Sequence, residues 1–241
     1  NHVSYNDKKI SITYMTDFIQ SYKNYVDKVD HVVYPSKYFA DYHGQTSEKD
    51  LYLGSPKYDV ILDRNEILEK YSLSDEKKAF IIFPRNRDAH RIDLKLIYRD
   101  LKEMGYDIVV KTRGKDPVHD KSLRGDAYFQ DVSWYPHTTM ELIEVSDIVI
   151  NFTSTSIKEC VLLKKPLVNF HIKPFKKPLD FLYTYKYCEN FEIQYNIDKF
   201  KESVQFLTSA DLDSEFDLAI KNHLFEKGHV SKKILDYLEE K

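Results

Sequence analysis

The feature that most constrains the fold is a regular alternation of short apolar runs and amphipathic stretches between residues 79 and 170. The runs have the length of buried strands, and the amphipathic stretches repeat their apolar residues every three or four positions, as helices do. The predicted strands span residues 79–83, 107–111, 127–131, 148–152 and 167–170, and the predicted helices span 92–104, 138–145 and 156–163. This order predicts an α/β fold with a parallel sheet that is covered on both faces.

The regions on either side of this alternation carry weaker patterns. Residues 1–60 predict the end of another α/β unit, with strands at 12–14, 31–34 and 51–53 and helices at 18–29 and 35–42. The segment Gly54-Ser55-Pro56 interrupts the pattern before a polar helix near 65–71, so we expect a domain boundary there. From Asp198 onward the pattern is helical, and it ends in an amphipathic helix at 230–238.

Composition narrows the class of protein. A chain of 241 residues with 42% hydrophobic residues can bury a proper core. Its net charge of −3 argues against a general nucleic-acid-binding protein, so a role for cations has to be local. The sequence has no apolar run long enough to span a membrane and no secretory signal pattern, and its two cysteines do not form a disulfide framework. We therefore expect a cytoplasmic protein.

Polar and basic residues follow the predicted strands, at the edge where the carboxyl ends of parallel strands meet. Arg85 and Arg87 follow the first strand, Lys111 and Arg113 close the second, and four hydroxyl residues follow the fourth: Thr153, Ser154, Thr155 and Ser156. Open parallel sheets bind ligands at this edge. Cations and hydroxyls at the start of a helix are typical of a phosphate or diphosphate site. The alternative for any single cation is an ordinary solvated loop residue.

Several of the polar and aromatic residues also fit purely structural roles. Ser156 and Glu159 fit a capping box, whereas Glu159 could instead hold a ribose or sugar hydroxyl. Tyr135 lies in a loop before a helix, where it would either stack on a base or close the core. Asp17 fits a helix cap. The histidines lack ligand spacing, so no metal site is predicted.

A set of short segments resembles the C-terminal half of nucleotide-sugar-dependent glycosyltransferases with the GT-B fold. Within that superfamily it is most similar to the CDP-glycerol glycerophosphotransferases and the UDP-N-acetylglucosamine 2-epimerases. The resemblance covers about residues 54–170 and rests on Gly54-Ser55-Pro56-Lys57-Tyr58-Asp59, Val109-Val110-Lys111, Glu141-Leu142-Ile143, Ser146-Asp147-Ile148-Val149-Ile150-Asn151, Ser154-Thr155-Ser156, Glu159 and Lys165-Pro166-Leu167.

The resemblance implies a GT-B enzyme with two Rossmann-like domains. Residues 1–55 would be the remainder of an N-terminal, acceptor-side domain, residues 56–225 the donor-binding domain, and residues 226–241 a C-terminal helix. Because the chain begins at Asn1 rather than Met, we expect a fragment with an incomplete N-terminal domain, whose missing N-terminal region belongs to the same enzyme.

The same resemblance implies roles for individual residues. Arg85 and Lys111 would act in catalysis by meeting the charge of the donor diphosphate, with Asp17 as the candidate base. The donor-binding set would be Arg87, Arg113, Tyr135, Thr153, Ser154, Thr155, Ser156 and Glu159. The serines and threonines would hold the donor phosphates, and Glu159 would hold the ribose. Tyr135 would lie near the nucleobase of the donor.

These expectations favour a transferase that moves a sugar or polyol-phosphate group from a nucleotide-activated donor to a glycan or glycopolymer acceptor. A nucleotide-sugar 2-epimerase and a non-catalytic nucleotide-sugar-binding module are the alternatives. No metal or cofactor is expected beyond the donor itself. The lysine-rich segment 173–177 would either touch a membrane surface peripherally or be a solvated loop.

Overall fold

The computed structural model describes residues 2–5, 8–12, 28–42, 47–131, 137–172, 179–223 and 228–240. The chain divides into two compact units. The first comprises Asn1–Ile61, Lys177–Leu179 and Asp217–Lys241, and the second comprises Leu62–Lys176 and Asp180–Phe216.

The strands and helices of the described residues are as follows. The strands are β1 (His2–Tyr5), β2 (Lys8–Ile12), β3 (His31–Tyr34), β4 (Asp50–Tyr52), β5 (Lys78–Ile82), β6 (Asp107–Arg113), β7 (Ala127–Asp131), β8 (Ile148–Asn151), β9 (Leu167–Phe170) and β10 (Cys188–Phe191). The α-helices are α1 (Lys37–Tyr42), α2 (Arg64–Lys70), α3 (Asn86–Ala89), α4 (Leu94–Glu103), α5 (His137–Glu144), α6 (Ile157–Leu162), α7 (Ile197–Ser209), α8 (Asp213–His223) and α9 (Val230–Glu239). Short 3₁₀ helices lie at Pro56–Tyr58, Lys121–Leu123 and Asp180–Thr184.

The first unit is built on a four-stranded sheet of order β1-β2-β3-β4. β1 pairs antiparallel with β2, and the other neighbours are parallel. Helix α9 packs its apolar residues Val230, Ile234 and Leu238 into one cluster with strand residues of this sheet. The carboxylate of Asp59 accepts the backbone N–H groups of Val230 and Ser231 at 2.9 and 2.6 Å, which satisfies two donors at the start of α9.

The second unit is built on a six-stranded sheet of order β10-β9-β8-β5-β6-β7, in which every pair is parallel. The chain runs outward from β5 through β6 to β7, then returns to the other side of β5 and continues through β8 and β9 to β10. The strand order therefore reverses between β5 and β8, as in a doubly wound Rossmann-type sheet. Every residue of β8 and β9 is buried, which explains why both strands consist largely of apolar residues.

The predicted α/β class with a parallel sheet is confirmed. The strands predicted between residues 79 and 170 are all present, with ends that differ by at most two residues. α4 begins where Asp93 accepts the N–H of Leu96 at 3.0 Å, and Gly105 follows its end with a φ of 83°. Helices α7, α8 and α9 confirm the helical end of the chain.

Several elements differ from the sequence-based expectation. β1, α3 and β10 were not predicted. β10 has the sequence CENF, in which Glu189 and Asn190 are half-buried, so this edge strand has no apolar run to reveal it. The predicted helix 156–163 is the six-residue α6. Residues 13–14 and most of the predicted helix 18–29 lie outside the described residues. Among the helices described, none is long and apolar enough to cross a membrane.

Candidate functional site

A cleft of about 150 Å³ lies at the carboxyl edge of the six-stranded sheet, where the strand order reverses. The ends of β5, β6 and β8 form it, together with the residues that follow them. Its polar lining consists of Arg85, Lys111, Thr112, Arg113, Asp116, Thr139, Thr153, Ser154, Thr155 and Ser156. The cleft thus occupies the position at which doubly wound sheets bind their ligands.

Two arginines carry positive charge in the cleft without a described counter-ion. Arg85 precedes α3, and its carbonyl accepts the N–H groups of Asp88 and Ala89 at 2.7 and 2.9 Å, which fixes its backbone. Arg113 is the last residue of β6. Both side chains are exposed, and neither guanidinium forms an ion pair with a residue in the described ranges. These two charges are available to an anionic ligand.

Lys111 has a different environment. Its side chain is only 14% exposed, and its Nζ lies 3.5 Å from Oδ1 of Asp131 on the neighbouring strand β7. Burial lowers the pKa of Lys111 from its ordinary value, and the charge and hydrogen bond of Asp131 partly oppose that shift. A charge held in such a low-dielectric position acts more strongly on a nearby anion than an exposed one does.

Asp116 is the carboxylate among the lining residues, and it has a structural partner. Asn86 donates from Nδ2 to Oδ1 of Asp116 and to the carbonyl of Pro117, both at 2.7 Å. The hydroxyl of Thr112 donates to the carbonyl of Asp116. These bonds tie the start of α3 to the loop after β6, so they hold Arg85 and Arg113 on the same side of the cleft.

The hydroxyl turn, residues 153–156, forms the other side. Thr153 has a φ of 51°, a left-handed conformation that threonine rarely adopts. It is 3% exposed and its hydroxyl donates to the carbonyl of Phe170 at 3.2 Å, so its side chain belongs to the core. Ser154, Thr155 and Ser156 are half-buried in the cleft lining.

The capping-box reading of Ser156 is wrong. Ser156 precedes α6 but makes no side-chain capping bond, and its own N–H donates instead to Oγ of Ser154 at 3.4 Å. Glu159 is 4% exposed in α6 and is not among the residues that line the cleft. Its contact with a ribose remains a prediction.

A buried amide row behind the hydroxyl turn was missed by the sequence reasoning. Asn151, Asn169 and Asn190 are register partners on β8, β9 and β10. Asn151 donates to Asn169, and Asn169 donates to Asn190, each at 3.1 Å. Nδ2 of Asn190 then donates to the carbonyl of Tyr183 at 2.7 Å. The signal was an asparagine near the end of each of three successive strands: IVIN, LVNF and CENF.

Tyr183 connects this row to the turn. Its hydroxyl accepts from Nδ2 of Asn151 at 3.1 Å and donates to the carbonyl of Ser154 at 2.6 Å. Burial raises the pKa of Tyr183 well above its ordinary value, so the hydroxyl keeps the proton that it donates.

The structure does not bring every predicted residue into the cleft. Arg87 is exposed, with its Nε 3.5 Å from Oδ2 of Asp88, and it is not part of the lining. Asp17, Tyr135 and the segment 173–177 lie outside the described residues. Across the part of the chain that the structure describes, no group of three or more histidine, cysteine, aspartate or glutamate side chains could hold a metal ion.

Comparison with protein-family models gives no match, and comparison with curated proteins gives none either. Solved structures do match. A variant of the wall teichoic acid polymerase TagF soaked with CDPG has a TM-score of 0.56 and 17% identity, over 89% of this chain and 58% of that chain. UDP-GlcNAc 2-epimerase of Methanocaldococcus jannaschii, in complex with UDP-GlcNAc and UDP, has a TM-score of 0.54 and 11% identity, over 88% of this chain and 62% of that chain. The glycotransferase of kitacinnamycin has a TM-score of 0.51 and 11% identity, over 83% of this chain and 52% of that chain.

These likenesses establish the fold. The chain has the α/β, Rossmann-like architecture of GT-B-type enzymes, as the resemblance in its sequence predicted. It spans about 58% of the length of the TagF chain that it matches. Since the identities lie below 20%, what those proteins bind and transfer is a property of the neighbours.

Proposed function

We propose that this GT-B-type chain carries the donor site of a transferase, which moves a sugar or polyol-phosphate group from a nucleotide-activated donor to a glycan or glycopolymer acceptor. The donor's diphosphate lies in the cleft at the reversal of strand order, between β5 and β8. Two of the structural neighbours support this choice of ligand, since one was soaked with CDPG and another was solved with UDP-GlcNAc and UDP.

The observation that carries the proposal is the chemistry of the cleft lining. Three cations, Arg85, Lys111 and Arg113, lie opposite the hydroxyl turn. The carboxylates nearby already have partners, because Asp116 accepts from Asn86 and Asp131 pairs with Lys111. Basic side chains and hydroxyl or amide donors around one cleft are the groups that recognise phosphate oxygens.

In the proposed reaction an acceptor hydroxyl attacks the donor. For a sugar donor the anomeric carbon forms a bond to the acceptor oxygen, its bond to the diphosphate oxygen breaks, and the nucleoside diphosphate leaves. For a CDP-polyol the polyol-linked phosphorus forms a bond to the acceptor oxygen, its bond to the bridging oxygen breaks, and CMP leaves. Negative charge develops on the departing phosphate in both cases. Arg85, Lys111 and Arg113 stabilise that charge, so the reaction needs no metal ion. The acceptor's proton passes to a base, for which Asp17, outside the described residues, is the candidate.

A nucleotide-sugar 2-epimerase is the second candidate, because one structural neighbour is such an enzyme. Moving a proton on and off a sugar carbon requires an acid and a base beside the ring. Among the described residues that line the cleft, Asp116 is the carboxylate and no histidine is present. The cleft chemistry therefore favours transfer over epimerisation. A binding module without catalysis would bind the same ligands and transfer nothing.

Ligand binding tests the donor site first. We expect CDP-, UDP-, GDP- or CMP-linked donors to give a thermal shift and saturation-transfer signals, with one base preferred. The matched variant Arg85→Ala/Arg113→Ala removes the two cations that have no counter-ion among the described residues, and we expect it to abolish the response. No response of the native chain to any of these donors, or an undiminished response of the double variant, would refute the proposed site.

Product analysis with the preferred donor then separates the activities. A C2 epimer formed from the donor alone identifies an epimerase. Release of the nucleoside phosphate that depends on an added acceptor identifies a transferase. Binding with neither product identifies a binding module.

A further inference from the structure

The hydroxyl turn is attached to the rest of the unit through two side chains that lie outside it. The N–H of Thr153 donates to Oδ1 of Asn169 at 2.8 Å. The carbonyl of Ser154 accepts from the hydroxyl of Tyr183 at 2.6 Å. Asn169 lies on β9 and Tyr183 on the 3₁₀ helix Asp180–Thr184, and neither is among the residues that line the cleft.

Both anchors belong to one connected set of hydrogen bonds. Oδ1 of Asn169 accepts hydrogen bonds from Asn151 and from Thr153. Nδ2 of Asn169 donates to Asn190. The second N–H of Asn151 donates to the hydroxyl of Tyr183, which then donates onward to the turn. Each bond fixes the donor and acceptor direction of the next, so the row holds both anchors in a single arrangement.

The conformation of the turn makes this support necessary. Thr153 is held at a φ of 51°, where a β-branched residue is disfavoured, and such a conformation persists only if its surroundings enforce it. The direction in which Ser154, Thr155 and Ser156 point depends on that one residue, because they follow it directly. The bond from the N–H of Thr153 to Asn169 and the bond from Tyr183 to the carbonyl of Ser154 fix the backbone before and after this residue.

We propose that Asn169 and Tyr183 are positioning residues for the donor phosphates, which they never touch. By fixing the backbone of the turn, they set the direction in which Ser154, Thr155 and Ser156 present their hydroxyl groups to the cleft. The inference rests on the proposed donor site and adds that the phosphate contacts on this side are preorganised before the donor arrives. Preorganised donors need no rearrangement when the ligand binds.

Tyr183→Phe tests this with the loss of a single oxygen atom. The matched control is Tyr187→Phe, since the hydroxyl of Tyr187 is also buried and has no hydrogen-bond partner among the described residues. Affinities for a nucleoside, its 5′-monophosphate and its 5′-diphosphate are measured with each protein, using the base that the native chain prefers. We expect Tyr183→Phe to weaken diphosphate binding about tenfold, monophosphate binding less, and nucleoside binding not at all. Tyr187→Phe should leave all three affinities unchanged.

The dependence on phosphate number separates positioning from general loosening of the fold, which would weaken all three ligands alike. Equal diphosphate affinity in Tyr183→Phe and the native chain overturns the positioning role and leaves the donor site intact. Failure of the native chain to bind any nucleoside diphosphate removes the donor site and this inference with it.

A second variant keeps the test decisive should Tyr183→Phe not fold. Asn190→Ala removes the acceptor of Nδ2 of Asn169 and the donor to the carbonyl of Tyr183, at a half-buried position on the edge strand, and it leaves both bonds to the turn in place. We expect a smaller loss, about threefold, with the same dependence on phosphate number. A loss that is equal for nucleoside and diphosphate overturns the proposal.

Discussion

The two sides of the cleft hold their functional groups in different ways. The basic side, defined by Arg85, Lys111 and Arg113, presents two exposed guanidinium groups that have no described counter-ion. The hydroxyl side, defined by residues 153–156, is fixed by bonds from Asn169 and Tyr183 to its backbone. A charge attracts a phosphate over several ångströms and from many directions, whereas a hydroxyl acts only at hydrogen-bond distance and in a narrow range of angles. The hydroxyl groups act over the shorter range, so they are the groups that need support from the buried side chains of Asn169 and Tyr183.

This difference separates function from stability. Removing an exposed cation should take away a contact with the proposed donor and leave the fold unchanged. Removing a member of the amide row leaves buried polar groups without partners, which costs stability before any ligand is present. The predictions below test that separation, in order of decreasing effect.

Arg85→Ala should have the largest effect, and it should fall on activity. We expect turnover to decrease by about 10² to 10³, by analogy with the loss of one preorganised donor to a developing negative charge. The free energy of unfolding should change by less than about 0.5 kcal/mol, since the side chain is exposed. Steady-state kinetics and urea titration measure the two quantities.

Arg99→Ala is the control for this variant. Arg99 is 57% exposed on α4, where it pairs with Asp100 and Glu103 away from the cleft lining, so its loss should change turnover little. Full turnover in Arg85→Ala would remove Arg85 from the mechanism.

Asn169→Ala should affect stability instead. It leaves Nδ2 of Asn151 with one partner fewer and deprives the buried N–H of Thr153 of its acceptor. We expect the free energy of unfolding to fall by about 3 kcal/mol, from the desolvation cost of those buried groups. Asn65→Ala, at an exposed position in α2, should change it by less than about 0.5 kcal/mol. A decrease below about 1 kcal/mol for Asn169→Ala would show that the amide row does not support the turn.

The basic side of the cleft was predictable because its residues can be located by local pattern alone. Once the apolar runs are recognised as parallel strands, Arg85, Lys111 and Arg113 follow from their positions at the carboxyl ends. The position of the hydroxyl turn follows in the same way. Charge and strand order are therefore enough to place these groups at one edge of the sheet.

The framework behind the hydroxyl side was not predictable in this way. Most of its bonds join residues that are 16 to 32 positions apart, such as Thr153 with Asn169 and Asn151 with Tyr183. One of its strands, β10, is half polar and has no periodic pattern. The local motif that the sequence did suggest, a capping box at Ser156, does not form, because Oγ of Ser154 accepts the N–H of Ser156. One local hydrogen bond, between residues two positions apart, thus replaces another at the start of α6.

Lys111 gives the basic side a dependence on pH. Burial lowers the pKa of Lys111 from its ordinary value, and a phosphate binds the charged form. As pH rises through the lowered pKa, the ammonium loses its proton, and diphosphate affinity should fall by about tenfold across that transition. Over the same interval the unfolded chain binds more protons at this site, so the unfavourable effect of burying the Lys111 charge decreases as pH rises.

Lys111→Arg is the control, because an arginine stays charged up to pH 10. Isothermal titration with a nucleoside 5′-diphosphate at several pH values should show a flat profile for the variant and a falling one for the native chain. Parallel profiles would mean that Lys111 does not contact the phosphates.

The smallest effect should come from Asp131→Asn. The carboxylate of Asp131 raises the pKa of Lys111 by its charge and its hydrogen bond, and so partly opposes the effect of burial. Its removal should lower that pKa further, so the fall in diphosphate affinity should begin at a lower pH than in the native chain. At pH values well below the pKa of Lys111, where the ammonium is charged in both proteins, their diphosphate affinities should differ by less than about threefold. Asp120→Asn, at the exposed carboxylate that pairs with Lys95, should leave the profile unchanged. A profile that moves to higher pH in Asp131→Asn would show that another group sets the charge of Lys111, and the basic side would then depend on Arg85 and Arg113 alone.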